Sequence, residues 1–315
     1  MLSAGTPWRI AVSGLGGFVG SHFAQAMAAM DPTIEVIPLL PAGLPASDLR
    51  NASAVAQAVS DLSPNVVLHL AAMALPASAS ADPTAAWQVN VMGTLNIAEA
   101  VRRHSPRSRL LFVGSSEAYG NSFLASDEPI EETAALMPRS IYAATKAAAD
   151  LMMGQCAIDG VHTIRFRPFN HTGPGQSDNY VVSSFARQIA RIERGLQPPV
   201  IDVGNLEAER DFLDVRDVVD AYARAALPNC NVAAGTVMNL ATGQPKRIGA
   251  VLSELIDETP MTIDVRIDPS RVRANDIPRA SGSRVIAQET LGWRPRIDFR
   301  QTLRDVLSHW RASPL

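Results

Sequence analysis

Arg9-Ile-Ala-Val-Ser13, running straight into Gly14-Leu-Gly-Gly17-Phe-Val-Gly20, is the stretch on which the fold turns. An apolar, β-prone run enters a glycine cluster, and the alanine- and methionine-rich residues 20–30 beyond it read as a helix. Glycine at such a corner permits a tight turn, close approach of backbone to a pyrophosphate and close helix–strand packing. The helix N-terminus adds positive potential. The spacing is Gly-x-x-Gly-x-x-Gly, not Gly-x-Gly-x-x-Gly. The strand before and the helix after therefore carry the reading of a dinucleotide site over that of a plain turn.

Strand and helix go on alternating. Apolar runs at 35–39, 66–70 and 110–114 lack polar alternation and read as buried strands, and 161–166 and 236–240 add two more. Helical segments are expected near 52–61, 90–103, 142–157 and 215–227. Buried strands each followed by a helix imply an α/β fold with a Rossmann-type, doubly wound parallel sheet. After Arg167, loops rich in Gly, Pro and Asn appear, and the last segment mixes short strands with two helices. Residues 1–167, with 211–242 returning to them, are expected to form the dinucleotide-binding unit. Residues 168–210 and 243–315 are expected to form a smaller, interleaved C-terminal cap that binds substrate.

The 315 residues are 47% hydrophobic and 19% charged, an ordinary globular balance. A net charge of −3 gives no basic footprint, which argues against nucleic acid or an anionic membrane as partner. Cys156 and Cys230 form no spacing motif and point to a reducing, cytoplasmic compartment. The start, Met1 to Arg9, lacks the pattern of a signal peptide, and no apolar run is long enough to span a bilayer. Residues 77–81 are a short Ala/Ser-rich stretch. The histidines show no metal-ligand spacing, so no metal site is expected. The alanine-rich helices 90–103 and 142–157 are candidates for a homodimer interface.

Two further signals follow the glycine turn in order. Gly114-Ser115-Ser116-Glu117-Ala-Tyr119-Gly120 lies at the carboxyl end of a strand, the edge where open parallel sheets bind ligands. A hydroxyl there can steady an oxyanion on a substrate carbonyl, or can simply cap the next turn. Then comes Ser140-Ile-Tyr142-Ala-Ala-Thr-Lys146. Four residues apart on a helix, Lys146 is expected to sit beside Tyr142 and lower its pKa towards a useful proton donor and acceptor.

Glycine turn, strand-end serine and Tyr-x-x-x-Lys together resemble the short-chain dehydrogenase/reductase superfamily. Leu70-Ala71-Ala72, Asn90-Val-Met-Gly-Thr94 and Arg167-Pro-Phe169-Asn170 resemble its extended, nucleotide-sugar-modifying branch. Within that branch, 167–176 and 203–212 resemble the GDP-4-keto-6-deoxy-D-mannose reductases. The resemblance implies that Ser115 polarises the carbonyl, that Tyr142 is the acid/base, and that Lys146 holds the nicotinamide ribose. Cofactor contacts are implied for Gly14, Gly17, Phe18, Val19, Gly20, Leu70, Ala71, Ala72, Asn90, Phe169 and His171, with Asp48 and Leu49 at the adenine edge. Ser116, Asn170, Arg187, Asn205, Arg210, Arg273 and Asp276 are implied at the sugar nucleotide, where arginine forks suit a diphosphate. The bland alternative for the arginines is a surface ion pair.

The expected reaction is reduction of the C4 keto group of a nucleotide sugar, GDP-linked, by NADPH or NADH. The tip 38–43 carries neither acid nor base and does not choose between the two cofactors. A 4,6-dehydratase or 4-epimerase that recycles bound NAD(P) is the alternative. Glu117, which serves as base in related dehydratases, does not discriminate, since the reductases carry it too. Against a dehydratase, the glycine loop reads Gly-Phe-Val-Gly20 instead of Gly-Gln-Asp. The run Ser140-Ile-Tyr-Ala143 departs from the usual Ser-Pro-Tyr-Gly. A non-catalytic dinucleotide sensor would commonly have lost Tyr142 or Lys146, and both are present.

Overall fold

Six apolar runs form one parallel sheet in the computed structural model, which describes residues 7–41, 46–272 and 276–314. In spatial order the strands are Val237–Leu240, His162–Pro168, Arg109–Val113, Val66–His69, Arg9–Ser13 and Glu35–Pro38. Every pairing in it is parallel; Ile10, for example, faces Val36 on one side and Val66 on the other. The chain leaves Arg9–Ser13 in one direction to make Glu35–Pro38 and in the other to make Val66–His69. That reversal opens a crevice at the carboxyl ends of Arg9–Ser13 and Val66–His69.

Strand side chains alternate between two cores, as the pleat requires. Ile10, Val12, Val66, Leu68 and Leu111 face one side, where helices Phe18–Met30 and Val215–Ala226 bring Phe23, Met27, Val219 and Tyr222. Ala11, Val67, Leu110 and Phe112 face the other, against Val55, Val59, Ile97, Val101 and Met153. These come from helices Ala52–Leu62, Gly93–His104 and Ile141–Ile158. Each such buried aliphatic or aromatic side chain contributes roughly 1.5–3 kcal/mol over an exposed one.

A third core joins helices Val181–Glu193, Ile248–Ile256 and Phe299–Ala312 around Phe185, Ile189, Leu252, Val306 and Leu307. Asp214 ties it to the sheet. The carboxylate caps helix Val215–Ala226 at the Arg216 amide, pairs with the Arg216 guanidinium and accepts from Thr302 at 2.8 Å.

The structure differs from expectation in three places. Residues 76–87 form two short helices, Pro76–Ala81 and Pro83–Trp87, each begun by proline at its first turn, the second capped by Asp82. The helix expected at 90–103 starts as a π-type turn, Gln88–Met92, before Gly93–His104. Beyond residue 243 there are three α-helices among the described residues, Ile248–Ile256, Val285–Leu291 and Phe299–Ala312, where two were expected.

Candidate active site

The glycine turn is shaped for a ligand's diphosphate. Gly14 adopts φ 80°, and a Cβ there would stand 3.0 Å from the Ala71 amide nitrogen; one on Gly20 would lie 2.4 Å from the Gly14 carbonyl. Helix Phe18–Met30 starts at Gly17 with no side chain capping it, leaving first-turn amides and the positive end of the helix dipole for an anion. Val19 belongs to that first turn. Across the crevice the Leu70 and Ala71 amides donate to the Ser13 carbonyl at 3.1 Å each, and Ala72 follows. Asp48 has one carboxylate oxygen, Oδ2, buried without a hydrogen-bond partner, an acceptor suited to an adenine amino group. These features fit a dinucleotide.

At the end of strand Arg109–Val113, the Gly114 amide donates to the Phe166 carbonyl at 2.7 Å, where a Cβ would lie 2.9 Å from that oxygen. Ser115 Oγ caps the following turn, accepting from the Glu117 amide at 3.1 Å, and also hydrogen-bonds the Tyr142 phenol. Capping and oxyanion readings therefore apply to one hydroxyl. Ser116 is buried beside it. Tyr142 stands in the first turn of helix Ile141–Ile158, whose N-cap Ser140 accepts from the Ala143 amide at 3.1 Å.

Lys146, one turn on and buried, donates to the Val113 carbonyl at 2.7 Å and lies 5.4 Å from the centre of the Phe112 ring. Burial pushes its pKa down to about 8, opposed by the charge of Asp150. The expected lowering of the Tyr142 pKa is not found. Burial and then the charge of Glu117 raise it, and the Ser115 hydrogen bond only partly opposes them. Lys146 is turned to the Val113 carbonyl, and the desolvated phenol stays protonated.

Several expected ligand contacts are committed elsewhere. The Asn90 amide accepts from the Met73 N–H at 2.8 Å and donates to Thr145 Oγ1 at 3.0 Å, so Asn90 braces backbone rather than presenting a free amide. The Leu49 side chain is packed in the sheet core against Gly93, and its carbonyl accepts from the Asn96 side-chain amide at 2.7 Å. Phe169 is buried with Tyr119 and Ala241, close under Gly282. His171 stacks parallel to Phe18, ring centres 6.5 Å apart, and its Nδ1 donates to the Phe169 carbonyl at 3.0 Å. Burial lowers its pKa, which keeps that imidazole neutral.

On the sugar side, Asn170 is exposed on the short strand Asn170–Thr172. Arg187 pairs with Asp178 at 2.7 Å and lies over the Trp310 ring. Arg210 and Asn205 both bond the Asp276 carboxylate, Asn205 at 3.1 Å, and Arg210 also donates to the Ile277 carbonyl at 2.7 Å. Arg273 lies outside the described residues.

Sequence reading missed two groups. Tyr180, which opens helix Val181–Glu193, interacts electrostatically with Glu117 and Tyr142. No local motif marks it. Beneath Ser115, Asp150 binds Arg165 at 3.0 Å and Arg167 at 2.8 Å. Arg167 donates on to Tyr119, which donates to Asn239. An acid one turn beyond Lys146 on the same helix face was the available signal.

Glycine turn at the crevice, serine at the strand end and a Tyr-x-x-x-Lys helix against it define a short-chain dehydrogenase/reductase. Residues 42–306 match the family model for GDP-mannose 4,6 dehydratase, and the chain belongs to that family. It is 36% identical to the GDP-6-deoxy-D-mannose reductase of Pseudomonas aeruginosa, covering 96% of this chain and 97% of the relative. It is 30% identical to the dTDP-glucose 4,6-dehydratase of Mycolicibacterium smegmatis, covering 97% and 94%. Among solved structures it is similar to RMD from Pseudomonas aeruginosa complexed with NADPH, with TM-score 0.86 and 34% identity over 98% of this chain and 99% of that one. The UDP-glucose 4-epimerase of Thermus thermophilus complexed with NAD superposes with TM-score 0.83 at 27% identity, over 97% and 100%. No helix among the described residues is long and apolar enough to cross a membrane.

Proposed function

We propose that this chain is a cytosolic, NAD(P)H-dependent reductase of the C4 keto group of a nucleotide sugar, converting GDP-4-keto-6-deoxy-D-mannose to GDP-D-rhamnose. The observation that carries this reading is the full-length likeness to a GDP-6-deoxy-D-mannose reductase, on a chain that brings Ser115, Tyr142 and Lys146 to one strand end. Residues 1–167 with 211–242 hold the dinucleotide, and 168–210 with 243–315 close over the sugar. The Gly14–Gly20 turn takes the pyrophosphate, Asp48 the adenine and Lys146 the nicotinamide ribose. NADPH is the better fit to the relative's complex, and the bound nicotinamide supplies the hydride.

Burial keeps the Tyr142 phenol protonated and uncharged at neutral pH, ready as the proton donor to the C4 oxygen. Ser115 steadies that oxygen as negative charge develops. The phenolate left behind has the Lys146 ammonium one turn away, and that cation favours the phenolate over return of the proton from the product. The diphosphate is held by Arg187 and Arg210, which the chain's own Asp178 and Asp276 now engage.

A second reading, a 4,6-dehydratase or 4-epimerase, has the dehydratase and epimerase relatives behind it, with Glu117 as its base. The Glu117 charge raises the pKa values of both Tyr142 and Tyr180, so a carboxylate does face the reacting groups. Incubation of GDP-4-keto-6-deoxymannose with each reduced nicotinamide, followed by identification of the sugar, separates the readings. GDP-rhamnose is the expected product; its absence contradicts the reductase.

We also read the helices carrying 90–103 and 142–157 as a homodimer interface. Met92, Leu151 and Ile158 are large apolar side chains left exposed there. Sedimentation at micromolar protein should show a dimer, and a monomer would remove this assignment.

A further inference from the structure

A line of buried hydrogen bonds crosses the molecule from the glycine turn to the tyrosine helix. The Ala71 amide donates to Ser13 Oγ at 3.2 Å, and Ser13 Oγ lies 2.7 Å from His69 Nδ1. His69 Nε2 lies 2.9 Å from Thr94 Oγ1, which donates to the Asn90 carbonyl at 2.6 Å in the π-type turn. The Asn90 side-chain nitrogen donates to Thr145 Oγ1 at 3.0 Å, and Thr145 donates to the Tyr142 carbonyl at 2.8 Å. Ser13, His69, Asn90, Thr94 and Thr145 are all buried.

The direction of each bond is forced. A hydroxyl has one proton, and Thr94 gives its own to a carbonyl, which cannot donate. Thr94 can then only accept from His69, so Nε2 carries the imidazole proton. Nδ1 is bare and takes the Ser13 proton, and the Ser13 oxygen is left to accept from Ala71. The opposite tautomer would turn the buried Ser13 proton away from His69, with no other acceptor in the line, and strip the Asn90 carbonyl of its donor. A charged imidazole would do the first of these and add a second buried cation near Lys146.

We propose that His69 is a positioning residue of the hydride-transfer site: as a neutral imidazole protonated on Nε2, it locks the dinucleotide turn and the Tyr142 helix into one mutual geometry. Both ends of the line matter to the reaction. Ser13 precedes Gly14, where the backbone clearance for a diphosphate is set, and Tyr142 carries the proton. Burial, and then the charge of Lys146, push the His69 pKa down to about 3, so the neutral form persists at any working pH. The π-type turn fits the same role, since an inserted residue in a helix re-aims the Asn90 side chain between Met73 and Thr145.

This inference rests on the reductase reading, and its test keeps the two apart. The holoenzyme is loaded with NADPH and mixed with GDP-4-keto-6-deoxymannose in a single turnover, with rates expressed per NADPH-titrated site. Thr94→Val keeps the volume but loses donor and acceptor. It should slow hydride transfer by about tenfold or more, since small misplacements at a reacting centre carry large rate losses, while the NADPH Kd stays within about threefold. His69→Phe should do the same, and Thr94→Val carries the test if that variant does not fold. Thr94→Ser should restore the rate to within about threefold of wild type. Independently of any substrate, nitrogen-15 NMR should show His69 neutral and protonated on Nε2 from about pH 5 to about pH 9. A wild-type rate per titrated site in Thr94→Val, or an Nδ1-protonated or charged His69, overturns the proposal. A wild-type enzyme that binds NADPH yet leaves the keto-sugar unreduced contradicts the reductase reading alone, and the tautomer then decides the question of His69.

Discussion

The two sides of the cleft hold their functional groups in opposite ways. On the sheet side, Lys146, Asp150, Arg167 and Tyr119 are buried and spent on bonds to one another or to backbone. On the sugar side, Arg187 and Asp178 form a pair of which each side chain is more than a third exposed, and Arg210 and Asp276 form one that is partly so. Buried pairs are costly to break because the survivor is left without solvent; exposed pairs exchange partners cheaply. The sheet side is thus built to keep one geometry, and the proposed sugar side carries ion pairs that a diphosphate could displace.

The largest expected effect is on the rigid side. Tyr142→Phe removes the proton donor and should lower kcat by about 10²–10⁴-fold with cofactor binding unchanged, read by steady-state kinetics and NADPH titration. Activity within about tenfold of wild type would remove Tyr142 from its role. Next, Asp150→Ala leaves the Arg165 and Arg167 guanidinium groups without their carboxylate. It should destabilise the fold by about 3–5 kcal/mol in denaturant unfolding. A loss below about 1 kcal/mol would mean that this pair behaves like a surface one.

On the adaptable side, Arg210→Ala should raise the KM for the nucleotide sugar by about 10–100-fold, with a smaller change in the NADPH KM. An unchanged KM would return Arg210 to the status of a plain ion-pair partner. The smallest effect is a pH shift. Lys146 loses its proton as pH rises through about 8, so kcat should fall on that alkaline side. Asp150 opposes the depression, so Asp150→Asn should move the limb to lower pH, and a move upward would contradict the assignment.

The sheet was legible because its strands are unbroken apolar runs, and 66–70 or 110–114 can hardly be anything but buried. Ser115, Tyr142 and Lys146 were legible because each belongs to a short local pattern set on one element. The Asp150–Arg167–Tyr119–Asn239 network was not, since Tyr119 and its partner Asn239 lie 120 residues apart and no periodicity links them. The Tyr142 shift was misjudged in direction for a related reason. The Lys146 spacing is local, but the burial that outweighs it is supplied by the whole fold. Phe169 and Leu49 are expected at the cofactor from their neighbours in sequence, and the burial of their apolar side chains in the core is set by the whole fold.

The central claim is that hydride leaves the nicotinamide for good. The direct measurement is the molar ratio of NADPH oxidised to GDP-4-keto-6-deoxymannose consumed by the wild-type enzyme. A ratio of about one is predicted for a reductase. Sugar turnover with no net loss of NADPH would contradict it and leave a dehydratase or epimerase on the same fold.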